Sequence, residues 1–137
     1  MEIIQKYLAA WNATDAVARQ ELIAEVFTAD VRYTDPLADV TGHEQLDGLL
    51  AAVQGQFAGL EFRLGGAVDA HHDIARFTWH LGPRDVGPNA RAEREDGGSA
   101  HNSGGEPIVV GFDVVELIDG RIAKVYGFLD KVPGGAA

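Results

Sequence analysis

Three polar residues stand in stretches that otherwise read as core: Tyr7, Asp35 and Asp113. Tyr7 falls on the apolar stripe of the first helical pattern. Asp35 ends the strand-like run Val31-Arg32-Tyr33-Thr34 and precedes Pro36. Asp113 interrupts an apolar run, Ile108-Val109-Val110-Gly111-Phe112 before it and Val114-Val115 after it. A carboxylate in apolar surroundings is costly unless it is paired, hydrogen-bonded or protonated. Groups in that condition have displaced proton affinities, which is what acid–base chemistry uses. Each of the three also has a plain structural reading. A core tyrosine finds some partner for its hydroxyl. An Asp before Pro often starts a turn. Asp113 could be salt-bridged to Arg63 or Arg76.

Other residues could line or serve such a site. The segment Ile74–Leu81 alternates, with Ala75, Phe77, Trp79 and Leu81 on one face and Ile74, Arg76, Thr78 and His80 on the other. Phe77 and Trp79 are therefore candidate pocket walls, as is Tyr33, with ordinary packing as the alternative for all three. His71-His72-Asp73 invites a metal reading, but strand neighbours point to opposite faces, so no metal site is expected. His72 or His80 could act alone as an acid or base. The Gly-rich stretches lack the Gly-Lys-Ser/Thr of a phosphate loop. A serine triad has only Ser99 and Ser103 to draw on.

The elements that must position these residues follow from periodicity. Ile4, Tyr7, Leu8 and Trp11 fall at helical spacing. Asn12-Ala13-Thr14 breaks that helix. Thr14 or Asp15 can cap a second one reaching about Phe27, with Val17, Leu22, Val26 and Phe27 available for its inner side. A short strand over Val31–Thr34 ends at Pro36. Thr41-Gly42-His43-Glu44 resembles a capping box for a third helix to about Gln54. Strands are expected over Leu60–Leu64 extending towards Ala70, Ile74–Leu81, Pro107–Leu117 and Arg121–Val132. The last two join through Ile118-Asp119-Gly120, a hairpin signal. Residues 82–106 are rich in Gly, Pro, Ser, Asn and charge and read as a long mobile loop. Residues 133–137 read as a frayed tail. The order predicts a single α+β domain over 1–132, with helices on one face of a curved, mostly antiparallel sheet that encloses a cone-shaped cavity.

Bulk properties narrow the partners. With 137 residues the chain can bury a real core. Its net charge of −10 argues against nucleic acid or an anionic membrane. The absence of cysteine excludes disulfides, thiolate nucleophiles and Cys-based metal sites. No signal-peptide pattern and no membrane-length apolar stretch is seen, so a cytoplasmic protein is expected.

Tyr7-Leu8-Ala9-Ala10-Trp11-Asn12, Phe27-Thr28-Ala29-Asp30-Val31, Asp35-Pro36, Gly42-His43-Glu44, Phe112–Leu117 and Gly120-Arg121-Ile122 together resemble the nuclear-transport-factor-2-like superfamily, in its ketosteroid-isomerase and SnoaL-like polyketide-cyclase branch. The resemblance covers nearly the whole chain outside 82–106. It implies a cone-shaped fold and a cofactor-independent enzyme that moves a proton at carbon in a small apolar carbonyl compound. Asp35 then falls on the general base, Tyr7 on the oxyanion-hole phenol, and Asp113 on the oxyanion-hole carboxylic acid, allowing one residue's shift in the Ile118–Gly120 turn. A carboxylic acid held neutral in an apolar site is the device for which ketosteroid isomerase is known. Leu129 sits near where some isomerases have a tryptophan, a departure that disfavours a steroid. The resemblance also implies a homodimer through the outer face of the sheet. A rival reading is a non-catalytic ligand-binding or dimerisation module of the same fold. Epoxide hydrolysis, which this fold also hosts, would need an Arg-x-Asp pair, and Arg76-Phe77-Thr78 and Arg63-Leu64-Gly65 both lack it.

Overall fold

The computed structural model describes residues 1–83 and 107–132. The loop expected over 82–106 lies outside the described residues except for Gly82 and Pro83, which continue a strand, and so does the tail at 133–137. Three helices, α1 (Glu2–Asn12), α2 (Ala16–Val26) and α3 (Gly42–Gln56), pack on a sheet of seven strands. The strands are β1 (Phe27–Asp35), β2 (Ala38–Thr41), β3 (Leu60–Leu64), β4 (Asp69–His71), β5 (Ile74–Pro83), β6 (Val109–Ile118) and β7 (Arg121–Lys131). Their order is β2-β1-β7-β6-β5-β3, with β4 also paired to β5. Among the described residues only the β1–β7 pairing is parallel; the others are antiparallel.

The α1 stripe buries Ile4, Tyr7, Leu8 and Trp11 as its spacing requires. Asp15 caps α2, its carboxylate accepting from the Ala18 N–H at 2.9 Å. The inner side of α2 departs from expectation. Val17 is 63% exposed, and Arg19 is buried instead. Arg19 Nε donates to Asp47 at 2.6 Å and Nη1 to Gln54 at 3.2 Å, while Gln54 Nε2 donates to the Trp11 and Ala13 carbonyls. Each polar group is partnered, so this cluster can bridge all three helices without an orphaned charge.

Other boundaries differ for physical reasons. At the start of α3, Thr41 makes no side-chain cap; Gln45, rather than Glu44, reaches back to accept from the Thr41 N–H at 2.8 Å. The His43 ring Nε2 meets the Phe27 and Thr28 carbonyls and ties α3 to β1. As read, the strand ends at Pro36, although it begins earlier, at Phe27; the chain then turns and β2 returns along β1. The third sheet segment is split, because Gly65 breaks β3 from β4. A Cβ on Gly65 would lie 2.6 Å from the His80 ring. The β6–β7 turn, in contrast, is as read: Asp119 and Gly120 both take positive φ, at 53° and 82°. No helix among the described residues is long and apolar enough to cross a membrane.

Candidate functional site

Register brings distant carboxylates together. Asp113 faces inward from the middle of β6, with Phe77 beside it on β5 and Gly127 beside it on β7. Asp35 ends β1, which runs alongside β7. Gly127 is what allows the two to approach: a Cβ there would stand 3.0 Å from Asp113 Oδ1 and 3.1 Å from Asp35 Cβ. Both aspartates line one cavity of about 110 Å³. For scale, an apolar cavity of roughly 150 Å³ holds one benzene. The cavity as it stands therefore suits a ligand of a few heavy atoms rather than a steroid. Leu37, 85% exposed, belongs to its lining and marks the mouth.

Asp113 is 2% exposed. The Tyr7 hydroxyl donates to its Oδ2 at 2.8 Å, and Oδ1 has no hydrogen-bond partner. Burial raises the Asp113 carboxyl from 3.8 to about 6, against the hydroxyl of Tyr7 and the indole of Trp79, which favour the charged form; Asp35 nearby raises it further. The Trp79 indole exerts this pull without a well-formed hydrogen bond to Oδ1. The Tyr7 phenol is pushed well above its usual range, by burial first and by the Asp113 charge second. Neither Arg63 nor Arg76 is the partner: Arg76 pairs with Asp69 at 3.1 Å, and Arg63 donates to the Pro83 carbonyl.

Asp35 takes the turn role read for it and also lines the cavity. Its Oδ1 accepts from the Leu37 and Ala38 N–H groups, each at 2.8 Å, and so builds the turn after β1. Its Oδ2 accepts from the Tyr33 hydroxyl at 2.6 Å. A carboxylate offers about four lone-pair positions, so these three hydrogen bonds leave one on Oδ2. The Tyr33 phenol is itself driven well up by burial and then by the Asp113 and Asp35 charges.

Of the expected walls, Tyr33 and Trp79 line the cavity, and Leu129, near where some isomerases have a tryptophan, lines it too. Phe77 does not. It packs behind Tyr7, ring centroids 5.7 Å apart. Trp11, Phe62 and Phe57 complete the aromatic lining and were not singled out from sequence as walls. Trp11 shares the α1 stripe with Tyr7, which was a usable signal. Phe57 closes α3, where no periodicity points. His72 sits in the β4–β5 turn, and neither it nor His80 lines the cavity. No group of metal-ligating side chains occurs among the described residues.

The Trp79 indole lies across Gly111 on β6, where a Cβ would fall 1.9 Å from Cζ2. Gly111→Ala must displace that ring. We expect a loss of about 1–3 kcal/mol, as for other overpacked cores, with a changed tryptophan emission. Denaturant titration followed by fluorescence checks both.

A family model for the SnoaL-like domain matches residues 4–125. This chain belongs to the SnoaL-like family. No curated protein matches it. Among solved structures, a proposed isomerase of the SnoaL-like family from Agrobacterium tumefaciens is 34% identical, with a TM-score of 0.74 over 94% of this chain and 95% of that one. A ketosteroid-isomerase-like protein from Catenulispora acidiphila, in complex with trimethylamine, is 19% identical, with a TM-score of 0.65 over 92% and 83%. A proposed polyketide cyclase from Sinorhizobium meliloti is 17% identical, with a TM-score of 0.63 over 93% and 94%. The last two likenesses establish the fold. SnoaL-like membership accounts for the α+β fold with its open, curved sheet.

Proposed function

We propose that this SnoaL-like protein is a cofactor-independent enzyme that moves a proton at carbon in a small apolar carbonyl compound. The observation that carries the reading is a buried carboxyl, Asp113, with one oxygen bonded to Tyr7 and the other unpartnered, on the same cavity as Asp35. Asp35 uses its remaining Oδ2 lone pair to take a proton from the carbon next to the carbonyl. The C–H electron pair moves into the enolate, and the charge develops on oxygen. Protonated Asp113 donates to that oxygen from Oδ1, while Tyr7 supports Oδ2. Asp35 then returns the proton to a second carbon, and the double bond has moved. Tyr7 and Asp113, expected as parallel donors, act here in series.

A non-catalytic module would more naturally bury Asp113 against an arginine; the Tyr7 bond at a cavity wall favours the catalytic reading. The homodimer would use the outer sheet face, where Phe128 is 54% and Tyr126 38% exposed.

The test is conversion of a β,γ-unsaturated ketone to its conjugated enone, followed by absorbance. Asp113 must be protonated in the free enzyme, so kcat/KM should fall as pH rises through about 6, by about tenfold per pH unit beyond it. A rate that climbs steadily across that range would rule out the acid role.

A further inference from the structure

We propose that the cavity binds a small organic cation, an alkylammonium group, held between its aromatic walls and its two carboxylates. The inference concerns binding and does not rest on the reaction above. None of the described lining residues is Lys, Arg or His, so Asp35 and Asp113 meet there with no protein cation. Asp113 Oδ1 is buried and unpartnered. A buried carboxylate with a vacant oxygen is relieved either by a proton or by a positive ligand. The elements packed around it supply no positive charge: α1 presents Tyr7, β1 presents Tyr33 and Asp35, β5 presents Phe77 and Trp79, and β7 presents Gly127.

Part of the remaining wall is an arc of rings, which shares the lining with aliphatic residues such as Leu8, Val109 and Leu129. Tyr33 and Trp11 stand 5.6 Å apart, Trp11 and Phe62 5.2 Å, and Phe62 and Trp79 5.3 Å. Ring faces attract cations, most strongly where water is excluded. A hard metal ion would find two carboxylates but not the set of oxygens that calcium or magnesium demands. A weakly hydrated ammonium with methyl groups suits rings and carboxylates together, and its size suits about 110 Å³.

Both tryptophans of the chain, Trp11 and Trp79, line the cavity, so intrinsic fluorescence reports occupancy directly. Tetramethylammonium, which has fewer heavy atoms than benzene, is titrated against tert-butanol, a neutral molecule of similar size. Above the pH of about 6 at which Asp113 ionises, tetramethylammonium should bind at least about tenfold more tightly, a margin of cation–π and carboxylate attraction. That margin should shrink below this pH, where Asp113 carries its proton. Asp113→Asn and Asp35→Asn should each reduce it. Equal binding of the two ligands overturns the proposal. So does a failure of tetramethylammonium to bind, or a preference that survives both substitutions and the pH change. If Asp113→Asn does not fold, Asp35→Asn and the wild-type pH comparison decide.

Discussion

Asp35→Asn should lower kcat for enone formation by about a thousandfold, within the range for loss of a positioned general base, with no loss of fold. The substitution is close to isosteric. Its amide oxygen can still accept from the Leu37 and Ala38 N–H groups, the two bonds that build the turn after β1. Its amide nitrogen replaces Oδ2, and the Tyr33 hydroxyl can rotate to accept where it now donates. What disappears is the free lone pair that would take a proton from carbon. Turnover and thermal melting are measured on the same preparation. An unchanged melt with turnover gone assigns the base; unchanged turnover removes Asp35 from the chemistry.

Asp113→Asn should have two effects that separate by pH. Burial raises the carboxyl from 3.8 to about 6, against the Tyr7 hydroxyl. Between those values the native state binds more protons than the unfolded chain, so stability falls as pH rises through the window. Above about 6 the full penalty of the charge is present, roughly 3 kcal/mol at about 1.4 kcal/mol per pH unit. Asparagine is neutral at every pH and still accepts from Tyr7. Its amide nitrogen takes the unpartnered position, which offsets part of the gain. The variant should therefore be about 1–2 kcal/mol more stable than wild type above that pH, and no more stable near pH 4, where wild-type Asp113 is largely protonated. Guanidinium midpoints at the two pH values check this. In catalysis, the fall of kcat/KM through about 6 should be absent, because an amide does not ionise there. A variant with wild-type stability at both pH values would mean that Asp113 is not held uncomfortably at all.

Much of this was legible in the chain. Tyr7, Asp35 and Asp113 declared themselves because each breaks an apolar pattern, and the pattern reports burial. The Asp119-Gly120 turn was readable because few residues take positive φ cheaply. What was not legible depends on partners far along the chain. Arg19 is buried at the expense of Val17 because Asp47 and Gln54 arrive from α3 to satisfy it. Phe77 and Trp79 share one strand face, yet the first is covered by Tyr7 and the second is open to the cavity. Alternation gives the face, and the packing helix decides which residue on it meets the ligand. The Tyr33–Asp35 bond was visible in spacing as two residues on one strand face, but that reading took Tyr33 as a wall and overlooked its hydroxyl.

The one parallel pairing among the described strands bears on how the candidate site forms. Strand β1 carries Asp35 early in the chain, and the strand beside it, β7, is the last of the described strands in sequence. Until β7 inserts between β1 and β6, Asp35 and Asp113 belong to separate halves, and Gly127 is not yet between them. Closing so long a loop is slow relative to local hairpins and helices. Half-formed chains therefore hold no assembled pair of acids. The candidate site is therefore complete only once β7 has docked beside β1.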